Sequence, residues 1–200
     1  MILAIDTSSA IAVAVVDNGR TAASRSEFAP RGHAERLALL IESALAEAGC
    51  TRPERVVVGT GPAPFTGLRV GLVTARALGY AWGVPVEGVC SLDATGAAHG
   101  GEVTVVADAR RREVYSAAYS GGERVSGPVV TTPGEVSVHG EVIGRGALLY
   151  PDHFPSAVLA DPDPAWLVAV ADRLRAAGVS DFPSEPQYLR RPDVHGVPGA

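Results

Sequence analysis

The sequence contains no lysine: its 17 basic side chains are all arginine, set against 22 acidic ones for a formal charge of -5. A protein that grips nucleic acid unaided presents a basic face to the phosphates, so this balance argues against a stand-alone nucleic-acid binder. Cysteine is nearly absent. Cys50 and Cys90 form neither a metal-ligand nor a redox motif, and two lone cysteines suit a reducing compartment. There is no run of about 20 apolar residues, so no membrane span is expected. The apolar start, Met1 to Ile5, lacks a basic lead and stops at Asp6, unlike a signal peptide. These absences together lead to the expectation of a cytoplasmic protein.

What is present is a core-forming chain of 200 residues, 46% of them hydrophobic, enough for one ordinary domain or two small ones. Residues 2–7 read as a strand buried on both faces, followed by strands at 11–16 and 21–28 with an Asp17-Asn18-Gly19 turn between them. Leu37, Leu40, Ile41, Ala44, Leu45 and Ala48 fall at helical spacing in 32–48. A strand at 56–58, a helix at 66–82, a strand at 84–89 and a short helix from Ser91 follow. The order then partly repeats. Strands are expected at 103–107, 113–119, 124–130 and 142–143, and a helix at 164–177 with Pro164 in its first turn and Gly178 beyond its end. Two units that each open with a buried strand, an aspartate and a hairpin indicate a duplicated α/β fold. The expected division is 1–98 for a first lobe and 99–200 for a smaller, compressed second lobe with a tail.

The two aspartates mark the residues best placed for chemistry. In actin-like ATPases the hairpin after such a strand usually has glycine two residues beyond the Asp, which lets backbone N–H groups approach phosphate. Here that position holds Ser8 in Asp6-Thr7-Ser8-Ser9 and Arg110 in Asp108-Ala109-Arg110. Side chains at both turns suggest a nucleotide site that has decayed; the plainer alternative is two turn-forming aspartates at strand ends. His33 opens a helix without a second histidine at helical spacing, and His99, His139, His153 and His195 are scattered, so no metal site is expected. There is no Gly-x-Ser-x-Gly elbow and no local Cys/His pairing, so neither a nucleophile nor a cofactor is expected.

The helix at 66–82 is unusual. Gly67, Gly71, Ala75, Gly79 and Gly83 recur every four residues, and interior glycines each cost about 1 kcal/mol of helix stability. Arg69 and Arg76 are its only charges, while Val70, Val73, Ala77, Leu78, Ala81 and Trp82 cover much of the remaining surface. A helix apolar on two sides needs cover on two sides. Either the second cover is internal or it is another subunit. Thr66 is placed to cap the helix.

At Gly61-Pro-Ala-Pro-Phe-Thr-Gly-Leu-Arg-Val-Gly71 the chain resembles the TsaB (YeaZ-like) family of tRNA threonylcarbamoyladenosine biosynthesis proteins, whose signature reads Gly-Pro-Gly-Ser-Phe-Thr-Gly-hydrophobic-Arg-hydrophobic-Gly. Met1-Ile-Leu-Ala-Ile-Asp-Thr7, Asp108-Ala-Arg110 with Glu113-Val-Tyr115, and Pro186-Gln-Tyr-Leu-Arg190 resemble its other motifs, in order. Ala63-Pro64 replaces Gly-Ser, and the second half is shortened between Gly146 and Pro164. The resemblance implies a two-lobed actin-like (ribonuclease H-like) fold with a degenerate nucleotide site. It further implies a non-catalytic partner for a metal-binding catalytic paralogue, TsaD, joined by the small ATPase TsaE. That assembly transfers a threonylcarbamoyl group to the adenosine next to the anticodon, so tRNA would be met through the complex.

Family members contact the paralogue through their first two helices and can self-associate through the same face. On that basis the partner-facing residues would be Leu37, Leu40, Ile41, Ala44, Gly67, Arg69, Val70, Gly71, Thr74, Ala75 and Leu78. The competing readings are a homodimeric nucleotide-binding protein and a glycoprotease-like peptidase.

Overall fold

A computed structural model describes residues 1–28 and 33–190. The chain builds two mixed sheets. In the first, β1 (Ile2–Asp6), β2 (Ile11–Asp17) and β3 (Arg20–Glu27) form an antiparallel meander. After α1 (His33–Glu47), β4 (Arg55–Gly59) pairs parallel with β1; after α2 (Phe65–Trp82), β5 (Val86–Val89) pairs parallel with β4. The short α3 (Ser91–Ala97) leads to the second sheet. There β6 (Glu102–Asp108), β7 (Val114–Ser120) and β8 (Glu123–Thr131) form another meander, and β9 (Glu141–Ile143) lies parallel to β6. The strand orders are β3-β2-β1-β4-β5 and β8-β7-β6-β9. The second repeats the first four positions of the first, which is the duplication expected from the paired strand–Asp–hairpin units.

The first strands are apolar without interruption because both of their faces are buried. Leu3, Ile5, Val13, Val15, Val56 and Val58 pack with Leu37, Ile41, Leu68 and Leu72 of α1 and α2. The alternate set, Ala4, Ala14, Val16 and Val57, packs with Leu167, Val168, Val170 and Ala171. Period two therefore serves two buried faces. The second cover is α4 (Pro164–Ala176), capped by the Asp163 carboxylate, which accepts from the Ala165 N–H at 3.0 Å. This corrects the simple division at residue 98: α4 follows the second sheet in sequence but is built into the first lobe's core.

One local expectation also changes. Thr66 is not the cap of α2; Pro64 occupies that position, and the helix starts at Phe65 without a side-chain cap. Ser91 is the first residue of α3. Its Oγ accepts the Gly61 N–H at 3.1 Å, tying α3 to the loop before α2.

Tight turns between antiparallel strands call for positive φ at both central residues. Asn18-Gly19 (φ 47° and 75°) and Gly121-Gly122 (58° and 80°) meet this with suitable residues. The β6–β7 turn does not. It closes with a Glu113 N–H to Arg110 carbonyl bond of 3.0 Å and holds Arg110, Arg111 and Arg112 at φ 62°, 55° and 63°. Left-handed backbone costs an ordinary residue about 1–2 kcal/mol.

Candidate functional site

Both aspartate loops turn inward on themselves. Asp6, fully buried at the end of β1, accepts at Oδ1 from the Ser8 N–H (2.8 Å) and the Ser8 hydroxyl (2.6 Å). Asp108, at the end of β6, accepts at Oδ1 from the Arg110 N–H (2.7 Å), and its Oδ2 lies 3.2 Å from the Arg110 guanidinium. The N–H two residues past each aspartate, where a phosphate loop would offer a donor, is thus engaged by that aspartate. Burial pushes the Asp6 carboxyl above the usual carboxylate range, against the opposing bonds from Ser8 and the nearby Ser91 hydroxyl. Oδ2 has no well-directed hydrogen bond, so we read Ser91 as an electrostatic neighbour rather than a donor in line. Gly59 makes room for this oxygen: a Cβ there would fall 1.9 Å from it.

Between the lobes lies a cavity of about 190 Å³, walled by Ser8, Ser9, Leu92, Thr95, Val105, Val106, Asp108, Arg110 and Arg145 among others. That is below the roughly 300–1,000 Å³ of a pocket enclosing a drug-sized ligand. Its rim is tied across. Asp161 accepts from the Ser9 hydroxyl (2.5 Å) and pairs with both sides of the Arg145 guanidinium, which lies 4.1 Å from the ring centroid of Phe28. Burial alone would raise the Asp161 carboxyl, but the Arg145 and Ser9 bonds outweigh it and hold it below the usual range.

Burial pushes the Cys90 thiol up to about 12, away from the thiolate form that a reactive cysteine uses. Among the described residues no three His, Cys, Asp or Glu side chains are grouped to hold a metal ion. His195 and the His33 side chain lie outside what the structure describes.

The helices divide the expected partner residues into two sets. Leu37, Ile41, Ala44, Gly71 and Ala75 are buried in the chain's own core. Gly71 packs on Thr7, and a Cβ there would come 2.4 Å from the Thr7 Oγ1; a Cβ on Gly79 would come 2.2 Å from Val86 Cγ2. The glycine stripe therefore brings α2 against its own sheet, and the expectation that Gly71 and Ala75 face another subunit is corrected. Val70, Thr74 and Leu78 are half-buried beside the stripe, as are Gly67 at its start and Leu40 on α1, while Arg69 is exposed.

The outward face is apolar all the same. Leu39 on α1 is 65% exposed, and Val73 and Tyr80 on α2 are 64% and 92% exposed, with Ala77 between them. The apolar cover read from the sequence included Val73 and Ala77 but not Tyr80, and none of the three was placed among the partner-facing residues. Their i, i+4, i+7 spacing was the available signal.

The remaining side of α2 is covered by the tail, which sequence reasoning missed. Arg69 Nε donates to the Tyr188 hydroxyl (2.7 Å), Arg76 holds Ser184 and Glu185, and Phe65 packs on Tyr188 with ring centroids 4.7 Å apart. The Gly88 N–H donates to the Phe182 carbonyl, and the Gln187 N–H to the Thr60 carbonyl. Arg190 then reaches the second lobe, pairing with Glu113 and donating to the Ala109 carbonyl.

A two-lobed, duplicated α/β fold with an aspartate at the end of each lobe's first strand defines a class, an actin-like ATPase fold. The profile of the TsaD family, tRNA N6-adenosine threonylcarbamoyltransferase, matches residues 23–145, and the chain belongs to that family. Within it the chain is TsaB-like (YeaZ-like). The Escherichia coli tRNA threonylcarbamoyladenosine biosynthesis protein TsaB is 34% identical over 61% of this chain and 56% of its own length. The solved structure of YeaZ from Pseudomonas aeruginosa superposes with a TM-score of 0.80 at 29% identity, covering 94% of this chain and 99% of that one. An uncharacterized protein of Mycobacterium leprae is 43% identical over 98% of this chain, which spans 56% of that relative's length.

Proposed function

We propose that this chain is the non-catalytic scaffold of the machinery that makes threonylcarbamoyladenosine in tRNA, acting by holding the catalytic, metal-binding paralogue TsaD. The observation that carries this reading is the outward apolar face of α1 and α2, formed by Leu39, Val73, Ala77 and Tyr80. An exposed apolar face on rigid helices is suited to a protein partner. The self-closed loops at Asp6 and Asp108 support the non-catalytic half of the reading, because in each the N–H two residues past the aspartate is taken up by that aspartate. The names of the similar TsaB proteins supply the pathway.

In this reading the chain works in the cytoplasm, takes no cofactor of its own, and meets tRNA only within the complex. TsaE joins the pair, and a homodimer through the same face is the resting form when the paralogue is absent. Among the described residues no helix is long and apolar enough to cross a membrane.

The test has two arms. Depletion of the chain should remove threonylcarbamoyladenosine from tRNA hydrolysates. Titration of the purified chain with TsaD should show a complex that a charged Val73→Asp variant fails to form. Intact modified nucleoside after depletion, or ATP or peptide turnover by the purified chain that survives stringent purification, overturns the reading.

A further inference from the structure

The β6–β7 turn spends backbone strain on arginine. The other two tight turns place Asn-Gly and Gly-Gly where positive φ is required, but this one places Arg111 and Arg112 there, with Arg110 left-handed before them. Asn-Gly would satisfy the hairpin without strain. Strain held at a solvent-facing loop points to a use for the side chains that cause it.

The surroundings indicate what that use is. All three arginines are exposed, and the Arg110 side chain is 72% exposed even while paired with Asp108. The pair is open on the guanidinium side, with Asp108 at 22% exposure, so solvent weakens it and leaves donors of Arg110 facing outward. Arg112 pairs with no side chain among the described residues. The adjacent acid does not cancel the tip, because Glu113 is paired with Arg190. The base of the turn is firm: Ala109 is buried, its N–H donates to the Glu113 carbonyl, and its own carbonyl accepts from Arg190. A rigid tip thus carries three guanidinium groups with no exposed apolar residue in the 110–113 turn. Protein hot spots need an apolar, desolvated centre, whereas phosphate oxygens need forked cationic donors.

We propose that Arg110, Arg111 and Arg112 form a contact for the phosphate backbone of RNA. The inference rests on the proposed place of the chain in tRNA modification and deepens it, by giving this subunit a direct hold on the tRNA. A net charge of -5 opposes capture of RNA by the chain alone, so the turn adds to a grip that the complex as a whole supplies.

The experiment measures binding of an unmodified tRNA transcript to the complex of this chain with TsaD across a salt series, for wild type, Arg112→Gly and Arg112→Lys. In parallel it measures chain–TsaD affinity and the melting temperature of each chain. Glycine relieves the turn, so Arg112→Gly should melt about 2 °C or more higher. Its tRNA affinity should fall about five- to tenfold, and the slope of log affinity against log salt should flatten by about one. Arg112→Lys should keep the slope, and chain–TsaD affinity should not change. Unaltered tRNA affinity and slope in a stabilised Arg112→Gly chain would overturn the assignment. Loss of TsaD binding would make the turn a protein contact, and a loss seen for ATP instead of tRNA would make it part of a nucleotide site; either also overturns it. If the wild-type chain forms no complex with TsaD, the proposed function fails. The turn is then read from low-salt titration of tRNA with the chain alone, where an unchanged Arg112→Gly affinity rejects the inference independently.

Discussion

The Thr7 hydroxyl spans one rung of α2, donating to the Gly67 carbonyl at 2.9 Å and accepting from the Gly71 N–H at 3.2 Å. This contact fixes how closely the helix approaches β1, and only a residue without Cβ fits at position 71. Gly71→Ala should therefore destabilise the chain by about 1–3 kcal/mol from overpacking, even though alanine is the better helix former. Chemical denaturation at several protein concentrations checks this. A wild-type midpoint combined with lost TsaD binding would show that Gly71 faces outward after all.

The outward face behaves differently. Tyr80→Ala and Val73→Asp remove side chains that are mostly solvent-exposed in the isolated chain. Their melting temperatures should stay within about 2 °C of wild type, since surface changes usually stay within about 0.5 kcal/mol. Affinity for TsaD should fall by at least about tenfold if these residues sit near the centre of the interface. Calorimetric titration together with thermal melts separates the two effects.

Asp6 makes stability depend on pH. Its folded-state pKa is raised by burial, so the folded chain holds this proton more tightly than the unfolded chain. The associated stabilisation is fully present below the unfolded value and is lost as pH rises through the folded one. Asp6→Asn removes the charge and keeps an oxygen for Ser8. Melting curves from pH 4 to pH 8 should show the variant gaining on wild type as pH rises. A constant difference would mean Asp6 titrates as it does in the unfolded chain.

The tail contributes to stability through Tyr188. Tyr188→Ala removes the contact with Phe65 and the bond from Arg69, and should cost about 1–2 kcal/mol. Hydrogen exchange should quicken at the Gly88 and Gln187 amides, which bind the Phe182 and Thr60 carbonyls across the tail. Unchanged protection at both amides would show that the tail is held without Tyr188.

At the rim of the cleft, Asp161 joins Ser9 of the first lobe to Arg145 of the second. Asp161→Ala should destabilise by about 1–2 kcal/mol, a charge-assisted bond discounted for partial exposure. Because the folded pKa of Asp161 is lowered, that contribution is present above the unfolded value and is lost as pH falls through the folded one. The deficit of the variant against wild type should therefore shrink on acidification, which melts at pH 7 and pH 3 compare.

The sequence by itself determined the elements and the loops. Strand and helix periods, the Asn18-Gly19 and Gly121-Gly122 turns, and the two strand-end aspartates are local patterns, and short-range geometry decides what they become. The replacement of phosphate-loop glycines by Ser8 and Arg110 was legible for the same reason. What only the tertiary structure decided is which apolar surface meets which. The stripe of Gly71, Ala75 and Gly79 showed that something comes close to α2, but a period of 3.6 residues carries no information about the neighbour; Thr7 and Val86 proved to be that neighbour. The return of α4 to the first lobe and the path of residues 182–190 over α2 join segments far apart in sequence. Such contacts depend on the shape of the assembled core, because burial rewards any apolar cover that fits and no residue in α4 or the tail encodes its partner locally.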